Sequence, residues 1–182
     1  MFGGAPSKVV VFDVETQKSF AEVGGRDRLK DLKISVAVAQ TLPEGTFRTY
    51  FEKDLPTLVE DLFAADLVVG FNIRRFDYPV LSAYTERDLT RLHTLDLLEE
   101  VERVLGFRLK LDSIAEATLG AHKSADGLAA IRWFKEGKLD EIAKYCQEDV
   151  RITAAIYRYG KLNGKVLYPD RAGGVKECKV SW

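Results

Sequence analysis

The chain has 182 residues, 27 Lys and Arg against 28 Asp and Glu, a formal net charge of −1, and 46% hydrophobic residues. That length suits one domain burying about 70% of its unfolded surface, and the balance of charge excludes a chain that is mainly disordered. A generic gripper of duplex nucleic acid is excluded too, because neutralising phosphates calls for a basic excess.

Cys146 and Cys178 are the only cysteines, too few for a disulfide framework or a thiolate zinc site. The opening MFGGAPSK lacks the apolar stretch of a secretory signal, and no run approaches the roughly 18 apolar residues of a membrane span. A soluble protein of a reducing compartment is expected, with a cytoplasmic location and no membrane partner.

Residues 8–15 (KVVVFDVE) form an apolar, β-branched run ending in acids, which predicts a buried central strand. Residues 16–33 contain Gly24-Gly25 followed by Arg26, Arg28, Lys30 and Lys33, and read as a long, mobile, basic loop. Residues 34–40 and 46–51 flank Pro43-Glu44-Gly45 and predict a hairpin. Asp54 is placed to cap a helix over 55–64 with Pro56 in its first turn, and 67–71 is a short strand. A helix is expected from Asp77 to about Tyr84, a strand over 92–97 and a helix over 97–105. Residues 110–160 carry helical spacing punctuated by Gly120, Gly127 and Gly137, and strands are expected at 165–168 and 175–181. These last strands could pair with the main sheet or with a partner chain. A hairpin, then alternating strands and helices, then a helical half predicts a single α/β domain over 1–182, with a mixed sheet flanked by helices. Its core would span 8–160, with 161–182 as a C-terminal β appendage.

Several acids stand where acids are costly. Asp13 and Glu15 are two apart on the predicted strand, so they share a face, where like charges repel and lose hydration. They either mark a strand end emerging into solvent or meet a cation. Asp149 falls about 20° from Ile142 on the helical wheel, inside an apolar stripe, with Tyr145 one turn earlier. That pair could be a structural hydrogen bond or part of a site. Asp77 follows the strand LVVGF and is placed for N-cap duty, and Asn72 for an ordinary turn. Should these acids converge, four carboxylates without His or Cys suit hard, oxygen-preferring Mg²⁺ or Mn²⁺. Two such ions about 3.5–4 Å apart clamp both oxygens of a phosphoryl displacement, which implies phosphodiester hydrolysis.

Three motifs then carry a resemblance: Phe12-Asp13-Val14-Glu15-Thr16, Asn72-x-x-x-Phe76-Asp77, and Tyr145-x-x-x-Asp149. In this order they resemble the DnaQ-like, DEDD superfamily of 3′→5′ exonucleases with the ribonuclease H-like fold. Tyr145 is similar to the mark of the DEDDy branch, which includes proofreading domains of DNA polymerases. The histidine branch would need His at the position of Lys144. His93 and His122 are therefore not expected to act as base. The 111–157 segment looks most like stand-alone or helicase-linked bacterial members, and a proofreading role in cis with a polymerase domain is not expected.

The resemblance implies that Asp13, Glu15, Asp77 and Asp149 hold two divalent ions, Mg²⁺ or Mn²⁺, with Asp13 bridging them. Tyr145 would orient the attacking water. Backbone groups of Thr16 and Gln17 would meet the terminal nucleotide, while Asn72 and Phe76 line the strand-end pocket. The implied substrate is the 3′ end of single-stranded DNA, or RNA, with a helicase or polymerase as a partner in trans and nucleoside monophosphates as products. Asp96 is expected to be structural, or to support the ligands from behind. Two other classes remain open: a silent nucleic-acid-binding module of the same fold, whose acids would be eroded, and a ribonuclease H-type endonuclease, which would not need Tyr145-x-x-x-Asp149. The basic segment 24–33 could touch the incoming strand's phosphates or simply be a solvated loop.

Overall fold

The computed structural model describes residues 8–121, 127–170 and 172–182, so His122, Lys123 and Asp126 lie outside the described residues. The expected central strand is β1 (Val9–Thr16), and the expected hairpin is β2 (Ile34–Leu42) with β3 (Thr46–Phe51). Helix α2 (Leu55–Phe63) leads to β4 (Leu67–Gly70), and α3 (Asp77–Leu81) to β5 (Thr94–Asp96) and α4 (Leu97–Leu105). The helical half divides into α5 (Leu111–Leu119), α6 (Gly127–Lys135) and the long α7 (Leu139–Asn163). Left-handed Gly120 ends α5, and left-handed Gly137 stands between α6 and α7.

One mixed sheet runs in the order β3-β2-β1-β4-β5, antiparallel on the hairpin side and parallel from β1 through β5. Both faces of β1 are buried, which explains its continuous apolar run. Val10, Phe12 and Val14 face one core with Leu55, Leu58 and Leu62 of α2. Val9 and Val11 face the other, with Ile142, Tyr145, Cys146 and Val150 of α7. Asp13 and Glu15 continue this second face by strand alternation, so the two acids point towards α7. The α/β architecture expected from the sequence, a mixed sheet flanked by helices, is the one observed.

Three local expectations are corrected. Residues 16–33 are not a long mobile loop: they hold a short helix α1 (Phe20–Val23) and a 3₁₀ turn (Leu29–Leu32), anchored by buried Val23 and Leu32. The turn is capped as Ser-x-x-Glu dictates, with Glu22 N–H donating to Ser19 Oγ at 3.4 Å and Ser19 N–H to Glu22 Oε2 at 2.8 Å. Asp54 makes no side-chain cap for α2; its carboxylate accepts from Phe51 N–H at 3.3 Å instead. The C-terminal strands β6 (Lys165–Pro169) and β7 (Val175–Lys179) pair with each other, as a separate antiparallel two-stranded sheet. Buried Val166 and Cys178 fasten this hairpin to the α7 side of the core. No described helix is long and apolar enough to cross a membrane.

Candidate metal centre

Asp13, Glu15 and Asp149 meet where the second face of β1 packs on α7. One carboxylate oxygen from each lies within 4.8 Å of the other two. Asp149 is 5% exposed, as its position on the apolar stripe predicts. Acids at this separation suit a hard cation: Mg²⁺ takes oxygens at about 2.0–2.1 Å, and with no imidazole in the set oxygen chemistry prevails.

Asp77 arrives by a different route. After β4 the chain turns sharply, with Asn72 in the left-handed region at φ 69°. Gly70 permits that turn, since a Cβ there would stand 2.2 Å from Ile73 Cγ2. Phe76, not Asp77, is the N-cap of α3, so the N-cap expectation for Asp77 is corrected. The Asp77 carboxylate reaches back to β1, where Oδ1 accepts from Val14 N–H at 3.1 Å. Burial, and then the negative charge of Asp13, push its carboxyl well above the usual carboxylate range. A cation beside Asp13 would offset the second of these causes, though not the burial that leads.

A cleft of about 430 Å³ gathers most of the remaining expected residues: Asp13, Glu15, Thr16, Asn72, Phe76, Asp77, Tyr145 and Asp149 all line it. Tyr145 is buried and stands edge-on to Trp133, with ring centroids 6.0 Å apart, so α6 fixes the plane of its ring. Thr16 Oγ1 donates to Lys18 O at 3.1 Å, which ties down the chain leaving β1. Asn72 Oδ1 accepts from Arg108 Nη2 at 2.6 Å.

Gln17 does not join this group. Its side chain donates to Ile34 O at 2.9 Å and Glu52 Oε2 at 3.0 Å, and its backbone N–H to Lys33 O at 2.9 Å. Asp96 is structural, as expected: its oxygens accept from Leu98, Glu99, Asn72 and Arg74 N–H groups, which caps α4 and pins the turn after β4. His93 lies outside the cleft, with Nδ1 2.7 Å from Asp66 O.

Part of the cleft wall was not foreseen from the sequence. Ser19 and Phe20 of the capped turn line the cleft, as do Leu128 and Ile131 of α6. Phe20 packs edge-on against Phe76 with centroids 6.1 Å apart, and the Arg26 guanidinium sits 5.2 Å above the Phe20 ring. The Ser-x-x-Glu signature was the available signal for an ordered turn there. The other basic residues of this segment are used differently: Arg28 pairs with Asp31 at 2.7 Å, and Lys33 lies over the Tyr84 ring.

Comparison with known proteins agrees with the α/β fold. No curated protein matches the sequence. Among solved structures, the family B DNA polymerase of the hyperthermophilic archaeon Pyrobaculum calidifontis is similar over 86% of this chain, with a TM-score of 0.66 and 19% identity. The chain spans 25% of that polymerase, so the likeness is one of fold within a much longer protein. A family model described as the RNase_H superfamily matches residues 10–160, from the second residue of β1 through most of α7, and the chain belongs to that superfamily.

Proposed function

We propose that this protein is a metal-dependent 3′→5′ exonuclease of the DnaQ-like DEDDy type, acting on single-stranded nucleic acid. The observation that carries the reading is the convergence of Asp13, Glu15 and Asp149 in one cleft that Asp77 and Tyr145 also line. Membership of the RNase_H superfamily supports a nuclease, and the Tyr145-x-x-x-Asp149 helix supports the exonuclease branch.

Asp13, Glu15, Asp77 and Asp149 are the residues that would hold two divalent ions, Mg²⁺ or Mn²⁺. Bound there, such ions supply charge for activating water near neutral pH and for neutralising the scissile phosphate. Tyr145 presents a phenol whose ring Trp133 holds in place, and its hydroxyl orients the attacking water by a hydrogen bond. Phe76 and Phe20 form an aromatic wall on which a terminal base stacks, an interaction worth about 1–3 kcal/mol per base and tolerant of sequence. Asn72 lines the same cleft, and the backbone of Thr16 meets the terminal nucleotide. DNA is the first substrate and RNA the second; the products are nucleoside 5′-monophosphates. The similarity to a polymerase fits an activity in DNA repair, with a helicase or polymerase working beside it in trans.

The test is direct. Single-stranded DNA and RNA labelled at the 5′ end are incubated with Mg²⁺, Mn²⁺ or EDTA. A one-nucleotide ladder that EDTA abolishes, and that Asp13→Ala or Asp149→Ala reduces at least about a hundredfold, is the expected result. Failure to cleave in either metal would overturn the proposal, and internal fragments without a ladder would reassign it to an endonuclease.

A further inference from the structure

Beyond Asn72 the surface opens on a second concavity of about 670 Å³, whose lining includes Phe107, Arg108, Leu109, Tyr168, Asp170 and Lys176. Arg108 joins the two spaces: it lines the second, and its Nη2 donates at 2.6 Å to Asn72 Oδ1 in the first. Phe107 stands edge-on to Tyr168, with ring centroids 6.1 Å apart and an interplanar angle of 67°. Yet Phe107 is 48% exposed, more than a ring used only to pack the hairpin would be. Across the β6–β7 ladder Tyr168 lies directly opposite Lys176, so the two share a face.

The electrostatics are local and favourable. Asp170, the one acid named in the lining, is occupied with its own turn: Oδ1 accepts from Ala172 N–H at 2.9 Å and Gly174 N–H at 2.7 Å. Those N–H groups, and then the Lys176 ammonium 3.6 Å from its Oδ2, hold its carboxyl below the usual range, so an incoming phosphate shares Lys176 with a carboxylate already engaged by its own turn. Residues 161–182 contain five Lys or Arg and two acids, a net of +3 in a chain whose total is −1. Of these cations Lys176 lines the concavity, together with Arg108 from the loop after α4.

We propose that Phe107, Arg108, Tyr168 and Lys176 form a second platform, for the single-stranded nucleic acid that continues past Asn72 out of the carboxylate cleft. Phe107 is exposed and Tyr168 half-buried, and rings of this kind flanked by cations bind bases by stacking and phosphates by charge, without reading sequence. Duplex offers no free base faces to such rings, so the occupant is a single strand. The direction of that strand rests on the exonuclease reading; the platform itself rests on the C-terminal hairpin and Arg108. The consequence is a length requirement: a strand must be several nucleotides long before it gains the platform's contribution.

The experiment compares binding of a thymidine dinucleotide with that of an oligothymidylate of about twelve nucleotides, by fluorescence anisotropy in EDTA. The double variant Phe107→Ala/Tyr168→Ala should weaken the longer strand about tenfold and the dinucleotide less than twofold. Lys176→Gln, a change at an exposed position, should reduce the slope of log affinity against log salt for the longer strand by about 0.7. Unchanged affinity for the longer strand, or equal loss on both ligands, would overturn the platform. Nucleotide release is scored in parallel on the same protein preparations, with Mg²⁺ in place of EDTA. A wild type that shows this length-dependent binding but releases nothing would remove the exonuclease reading and leave the platform standing.

Discussion

The carboxylate of Asp77 accepts a hydrogen bond at 3.1 Å from the backbone N–H of Val14, a residue 63 positions earlier. β4 pairs with β1 only as far as Val11, so Val14 lies beyond the end of that ladder. Its buried N–H needs an acceptor, and Asp77 supplies one. The contact fastens the turn after β4 to the strand that presents Asp13 and Glu15. A fold requirement and a site requirement thus meet in one side chain.

Asp77→Asn keeps an oxygen for Val14 and removes a negative charge that burial and Asp13 both oppose. In EDTA at neutral pH the variant should be the more stable protein by about 1 kcal/mol, seen as a Tm about 2–4 °C higher. On the proposed function, adding Mg²⁺ should raise the Tm of the wild type and not that of the variant, and the variant should lose nuclease activity. A lower Tm in EDTA would show that the charge is compensated within the protein itself.

Tyr145→Phe keeps the ring packed on Trp133 and deletes only the hydroxyl. Loss of a group that orients water should slow hydrolysis about a hundredfold. The rise in Tm on adding Mg²⁺ should be unchanged, because the carboxylates remain. Full activity would remove Tyr145 from the reaction.

Glu22 joins the capped turn α1 to α6. The Lys135 ammonium, then the N–H and hydroxyl of Ser19, hold the Glu22 carboxyl down at about 2. Its folded value lies below its unfolded one, so its contribution is present above the ordinary value of 4.5 and is lost as pH falls towards about 2. The difference in Tm between wild type and Glu22→Gln should therefore be small but measurable at pH above that range, shrinking to nothing as acid is added. A difference independent of pH would refute the assignment.

Gly160 on α7 faces the ring of Trp182, and a Cβ there would stand 2.4 Å from Trp182 Cζ2. The indole also donates from Nε1 to Tyr157 O at 3.0 Å, which ties the last residue to the helix. Gly160→Ala should cost about 1–3 kcal/mol through this clash, lowering Tm by about 2–4 °C for each kcal/mol. Adding Trp182→Ala should recover part of the loss. Strict additivity of the two changes would show that they do not meet.

Much of this molecule is written in short-range pattern. Alternation puts Asp13 and Glu15 on one face of β1, helical periodicity puts Asp149 on the buried stripe of α7, and Pro43-Glu44-Gly45 closes a hairpin. Each follows from backbone geometry over a few residues, which the sequence carries by itself. Other features depend on residues far apart in the chain, and only the tertiary structure decided them. The face of β1 bearing the acids packs on α7, so the two sets of carboxylates meet. Asp77 serves Val14 rather than a helix cap, because the parallel ladder stops short and leaves an N–H to satisfy. Gln17 turns away to Ile34 and Glu52, and the last two strands pair with each other instead of extending the sheet. Pairing partners of that kind are chosen by which buried groups the whole fold leaves unsatisfied, and no local spacing records that choice.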